Sequence, residues 1–172
     1  INTGEIDDVI WGTSAQMGLQ GGDMGRMAAL DAGFDLKASG VTLDRFCVSG
    51  LTAANLAAAQ LMSGMEDLLI AGGTEMMSVV NAKVAQDIAA GIKSGGLGSG
   101  NKRLQKRLPQ SHQGVCADAV ASMEGFSREA LDAIGLASQQ RAARAIKEGR
   151  FDRSIVPVVD DEGKIVLAKD EH

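Results

Sequence analysis

The stretch Val41-Thr42-Leu43-Asp44-Arg45-Phe46-Cys47-Val48-Ser49-Gly50-Leu51 decides how the chain reads. Residues 40–46 form an apolar run that reads as a buried strand. From Leu51, the run Thr52-Ala53-Ala54-Asn55-Leu56-Ala57-Ala58-Ala59-Gln60-Leu61-Met62 is rich in helix formers and stops at Ser63-Gly64. Cys47 therefore falls at a strand-to-helix turn, at or near a helix N-terminus. Unsatisfied N–H groups and the helix dipole favour an anion at such a place. Serine hydrolases mount their nucleophile on a comparable strand–turn–helix elbow. Spacing alone leaves two readings, an activated thiol or a small cysteine that simply packs.

The pattern continues on both sides. Residues 6–12 read as a short strand ended by Gly12, and the polar, Gly-rich residues 13–24 as a loop. Residues 25–32 read as a helix with Gly33 as its cap. Asp67-Leu68-Leu69-Ile70-Ala71 reads as another buried strand, stopped by Gly72-Gly73. Strands separated by helices of this length pair in parallel through right-handed crossovers. Residues 1–78 are thus expected to form part of a layered α/β sheet.

The composition shifts near residue 79. Residues 91–100 are Gly- and Ser-rich and read as a flexible loop, followed by the basic run Asn101-Lys102-Arg103-Leu104-Gln105-Lys106-Arg107. Ser127 is placed to cap a strong helix interrupted by Gly135 and closed near Gly149. Residues 155–159 and 164–168 flank Asp160-Asp161-Glu162-Gly163, a hairpin signal.

At 172 residues the chain is long enough for a core or for a core plus a lobe. Two cysteines do not make a disulfide framework, so Cys47 and Cys116 read as thiols of a reducing, cytoplasmic compartment. With two histidines and no Cys/His pair at ligand spacing, no metal is expected. A net charge of −5 and an aromatic content of 3% argue against nucleic-acid binding. No apolar run approaching a membrane-spanning length is expected, and no leader is visible. The core is expected from Ala, Leu, Ile, Val and the eight methionines.

Several segments then converge. Phe46-Cys47-Val48-Ser49-Gly50-Leu51 and, at this separation, Ala71-Gly72-Gly73-Thr74-Glu75-Met76-Met77-Ser78 resemble the thiolases. Gln16, Gln20-Gly21 and Arg26-Met27-Ala28-Ala29-Leu30 fit the same family. So do Gly125-Phe126-Ser127-Arg128-Glu129, Ser138-Gln139-Gln140-Arg141-Ala142 and Ile155-Val156-Pro157-Val158. The resemblance covers essentially the whole chain. It implies the N-terminal half of such an enzyme, lacking its first strand and helix. The implied fold is a layered α-β-α half with a mixed sheet over residues 1–78. An inserted α+β loop domain would begin at residue 79 and run through 172.

By this resemblance the chain would be an acyl-CoA acyltransferase in which Cys47 takes the acyl group from a CoA thioester. The Cys47 backbone N–H would serve an oxyanion hole. A base histidine in a Gly-His-Pro context and a second active cysteine would come from beyond residue 172, so the chain alone is expected to lack turnover. CoA and acyl-CoA would be substrates, with no separate cofactor, and a homodimer or homotetramer is implied. His112 matches the family's loop-domain histidine near the pantetheine arm of CoA, the alternative being an exposed loop histidine. The family commonly has Met at the next position; Gln113 here leaves the acyl preference open. Arg103, with Lys102, Lys106 and Arg107, would attract CoA phosphates or else form a solvated face, and Leu104 would contact CoA. Glu75 reads as a carboxylate bonded to backbone rather than a catalytic acid. Gly72-Gly73 read as a turn, Cys116 as a packing residue, and Met62, Met65, Met76 and Met77 as core. Two other readings compete, a ketoacyl-synthase-like condensing enzyme and a non-catalytic protein of the same fold that binds CoA or lipid.

Overall fold

The computed structural model describes residues 1–90 and 101–170. The chain forms two compact units, Ile1–Gln105 and Lys106–His172. The glycine-rich run expected to be a loop, 91–100, lies outside the described residues.

The first unit is built on a parallel sheet of three short strands: β1 (Asp8–Gly12), β2 (Val41–Leu43) and β3 (Leu69–Gly73). β1 is central, in the order β2-β1-β3, pairing Ile10 with Val41 and Val9 with Ile70. Both ladders are parallel, so the antiparallel member of the expected mixed sheet is not among these strands. A helix follows each strand: α1 (Met24–Asp31) after β1, α2 (Ser49–Ser63) after β2 and α3 (Met77–Ala89) after β3.

Side chains of β1 alternate between the two faces, as the pleat demands. Val9 joins Ile6, Ala29 and Ala38, with Trp11, Phe34, Leu68 and Ile70 packed against them on the α1 face. Ile10 joins Ala53 and Ala57 of α2, backed by Leu43 and Leu69. Burying a side chain such as Ile10 stabilises by about 1.5–3 kcal/mol. The core is therefore made of Ile, Val and Ala; Met62, Met65, Met76 and Met77, expected within it, are all exposed. β2 and β3, expected to be buried, are half-exposed. Among the described residues they are the sheet's two edges, and β1 alone has a strand on each side.

Gly72 and Gly73 do not end β3 in a turn but are its last residues. The reason is close packing across the ladder. A Cβ on Gly72 would lie 2.6 Å from the Trp11 ring, and one on Gly73 2.6 Å from the Gly12 carbonyl oxygen. The Asp7 carboxylate ties down the approach to β3, accepting the Asp67 and Leu68 N–H groups at 2.8 and 3.0 Å. These bonds, Leu68's first, hold its carboxyl below the usual range.

The segment Phe46–Ser63 reaches a mean hydropathy of 1.2, enough by length and composition to cross a membrane. That departs from the expectation that no such segment exists. Its helical part, α2, buries Ser49, Thr52, Ala53 and Ala57 and packs on β1 and β3. At 1.5 Å per residue its 15 residues extend about 22 Å, short of a ~30 Å bilayer core.

In the second unit, α5 (Gln113–Glu124) and α6 (Arg128–Lys147) precede a hairpin of β4 (Val158–Val159) and β5 (Ile165–Leu167). A short helix, α4 (Lys102–Arg107), comes before them in the chain. Ser127 caps α6 as expected, its side chain accepting the Ala130 N–H at 3.2 Å, and the helix runs on through Gly135. The hairpin turn is held by Asp160, whose carboxylate accepts the Glu162 and Lys164 N–H groups. Among the described residues, none of α5, α6, β4 or β5 is buried.

Candidate active site

The site grows from the turn between β2 and α2. Phe46 has φ +49°, the only non-glycine residue with positive φ among the described residues. Left-handed backbone costs a side-chain-bearing residue about 1–2 kcal/mol, and four hydrogen bonds hold it here. Asp44 Oδ1 accepts the Phe46 N–H at 2.7 Å. Ser49 Oγ accepts the Arg45 N–H at 2.9 Å and donates to the Phe46 carbonyl at 2.6 Å. The Ser49 N–H donates to the same carbonyl at 3.1 Å. The next residue, Cys47, is exposed.

Cys47 stands two residues before the first residue of α2. Val48 occupies the N-cap and supplies no side-chain acceptor. The first turn of α2 thus lacks a side-chain cap, the condition under which a helix start receives an anion. The same turn lies hard against the end of β1, since a Cβ on Gly12 would sit 2.5 Å from the Ser49 carbonyl carbon.

Cys47 opens into a cavity of ≈ 390 Å³ lined by three segments. Gly12, Thr13 and Ser14 come from the exit of β1. Phe46, Cys47, Ser49 and Gly50 come from the α2 turn. Gly73, Thr74, Glu75 and Met77 come from the exit of β3. The carboxyl ends of parallel strands and a helix start therefore converge, a common location for ligand sites in α/β sheets.

Glu75 is bonded to backbone, as expected, and also to side chains. Its Oε2 accepts the Ser14 N–H at 2.7 Å and the Ser14 hydroxyl at 2.5 Å, and its Oε1 accepts Gln20 Nε2 at 2.8 Å. Gln20 is 1% exposed; its Nε2 also donates to the Ala15 carbonyl at 3.0 Å, and its Oε1 accepts the Met76 N–H. Partial burial pushes the Glu75 carboxyl up, but the bonds from Ser14, Gln20 and Thr13 outweigh it, and the net shift is downward. Thr74 is fixed nearby, its N–H donating to the Gly12 carbonyl and its hydroxyl accepting Trp11 Nε1, both at 3.0 Å.

The other expected site residues sit on α4 and at the start of α5. Arg103 and Leu104 share α4. His112 caps α5 in the second unit, its Nδ1 accepting the Gly114 N–H at 3.2 Å, and it is exposed. Arg103 and Leu104 do not line the Cys47 cavity. Cys116, expected to pack, is exposed on α5. Met77, expected in the core, lines the cavity instead. The parts Ser14 and Gln20 play were not foreseen, because both act through a residue 55 to 61 positions away.

The family description "Thiolase, N-terminal domain" matches residues 1–172. An acetyl-CoA acetyltransferase of Syntrophomonas wolfei is 36% identical over 100% of this chain and 45% of its own length. A 3-ketoacyl-CoA thiolase of Psychrobacter cryohalolentis is 34% identical over 95% of this chain and 40% of its own. The crystal structure of the Bacillus anthracis acetyl-CoA acetyltransferase superposes with a TM-score of 0.73 at 29% identity, covering all of this chain and 44% of that one. The chain thus spans less than half the length of these relatives. With the whole of its length matched and the fold shared, the chain belongs to the thiolase family, to which it contributes an N-terminal domain.

Proposed function

We propose that the chain forms the acyl-accepting part of a thiolase-type acyl-CoA acyltransferase. One observation carries the reading: Cys47 is exposed in the cavity, directly after a strained residue and at the uncapped start of α2. In the proposed reaction the Cys47 thiolate attacks the thioester carbonyl carbon of an acyl-CoA. The carbon–sulfur bond to CoA breaks, CoA leaves as a thiolate and takes up a proton, and the acyl group stays on Sγ. A second thiol or a carbanion then takes it, giving thiolysis or Claisen condensation. The Cys47 backbone N–H is the proposed donor to the oxyanion. The base histidine and the second cysteine of this scheme would lie outside this chain.

On this reading the sheet portion ends near residue 78 and the following residues are the loop domain. His112, Leu104 and Arg103 would hold CoA, the arginine through phosphate oxygens. The enzyme would be a cytoplasmic homodimer or homotetramer using no cofactor besides its CoA substrates. The names of the relatives, acetyl-CoA acetyltransferase and 3-ketoacyl-CoA thiolase, support the substrate class.

Selective alkylation tests the assignment. Iodoacetamide at neutral pH should modify Cys47 well ahead of Cys116, and acyl-CoA should protect Cys47 alone. Faster modification of Cys116, or no protection of Cys47, would overturn it.

A further inference from the structure

We propose that Glu75 is a positioning residue whose carboxylate clasps the segments leaving β1 and β3 and so sets the cavity wall beside Cys47. The clasp itself is independent of the chemistry at Cys47; its consequence rests on Cys47 as the acyl acceptor.

Three features make this more than a local contact. Both Glu75 oxygens are engaged, by the Ser14 N–H, the Ser14 hydroxyl and Gln20 Nε2. An ionised carboxylate is only an acceptor, and one with both oxygens engaged this way is suited to holding donors rather than to passing a proton. Next, the Gln20 amide is buried and spent in both directions, donating to Glu75 and Ala15 and accepting from the Met76 N–H. It locks the loop after β1 to Glu75 and to Met76 that follows it. Finally, Ser14, Thr74 and Glu75 themselves line the cavity with Cys47. Releasing the clasp therefore frees two of the three segments that shape the space in which a thioester would be placed. Misplacement of a reacting group by about 1 Å can cost on the order of 100-fold in rate.

The test uses the full-length polypeptide with Glu75→Gln, Ser14→Ala, Ser14→Thr and, as a control, Thr42→Val. Thr42 makes a comparable polar network, its hydroxyl accepting the Gly25 N–H and donating to Asp23, and does not line the cavity. Two readouts are taken per folded molecule, amide hydrogen exchange at Ser14 and Met76, and the single-turnover rate of acyl transfer to Cys47. Glu75→Gln should speed both amides and slow acylation on the order of tenfold or more. Ser14→Ala should fall between, Ser14→Thr should restore the rate, and Thr42→Val should leave it within about twofold. Faster amides with unchanged acylation, or an equal loss in Thr42→Val, would overturn the proposal. Should the parent protein never acylate Cys47, the functional reading fails separately. The clasp is then judged by Cys47 alkylation, and equal rates in parent and Glu75→Gln would overturn it.

Discussion

Phe46 shows most plainly how single residues shape the site. Its positive φ is sterically costly and is held by hydrogen bonds from Asp44 and Ser49. Phe46→Gly should remove that cost and Phe46→Ala should keep it while losing the ring. Chemical denaturation is expected to find the glycine variant more stable than the alanine variant by about 1 kcal/mol. Equal stabilities would mean the turn holds no strain. Glu75 makes a second prediction. Its folded pKa is depressed, so its contribution is complete above the ordinary glutamate range and is lost as pH falls through the lower folded value. The stability gap between parent and Glu75→Gln should therefore narrow below about pH 4 and stay constant near neutrality. Thermal melts across that range decide it; a gap that widens in acid would reverse the sign. Cys47 itself was legible from local sequence, because a strand, a turn and an Ala-rich helix stand in immediate succession. Its surroundings were not, because Ser14 and Gln20 reach Glu75 through tertiary packing that no local pattern encodes.

Among the elements, the site depends on how closely α2 approaches β1. Gly12 permits that approach, and Gly12→Ala would drive a Cβ into the Ser49 backbone. The expected cost is about 1–3 kcal/mol, the usual range for overpacking, with a slowed alkylation of Cys47 because the α2 start must retreat. A stable variant with normal Cys47 reactivity would show that this contact does not set the turn. The limits of α1, α2 and α6 were well read, since Gly33 and Gly64 close the first two and Ser127 opens the third, whereas α3, α4 and α5 were not read as helices. Strand burial was misread for a physical reason. An apolar run signals burial on both faces only where other layers cover both faces, and among the described residues β2 and β3 are partly uncovered edge strands. The glycines at the end of β3 were read as a turn, whereas they belong to the strand and are demanded by the Trp11 ring and the Gly12 carbonyl on the neighbouring strand.

At the scale of the whole molecule, the buried apolar side chains among the described residues all belong to the first unit: Ile6, Val9, Ile10, Ala15, Ala29, Ala38, Ala53 and Ala57. Ile10→Ala should cost about 2–5 kcal/mol. Ile134→Ala, on a side chain 71% exposed in α6, should change the stability of this chain by less than about 0.5 kcal/mol. The family was legible because its motifs are spread over the whole length, and the profile match covers the same length. The most direct measurement of the central claim is a peptide map of the full-length protein, mixed with acyl-CoA, quenched in acid and digested. The account predicts one acyl group on the peptide carrying Cys47, none on that carrying Cys116, and none anywhere in Cys47→Ala. An acyl group on a different residue, or steady turnover with Cys47 unmodified or replaced by alanine, would contradict it.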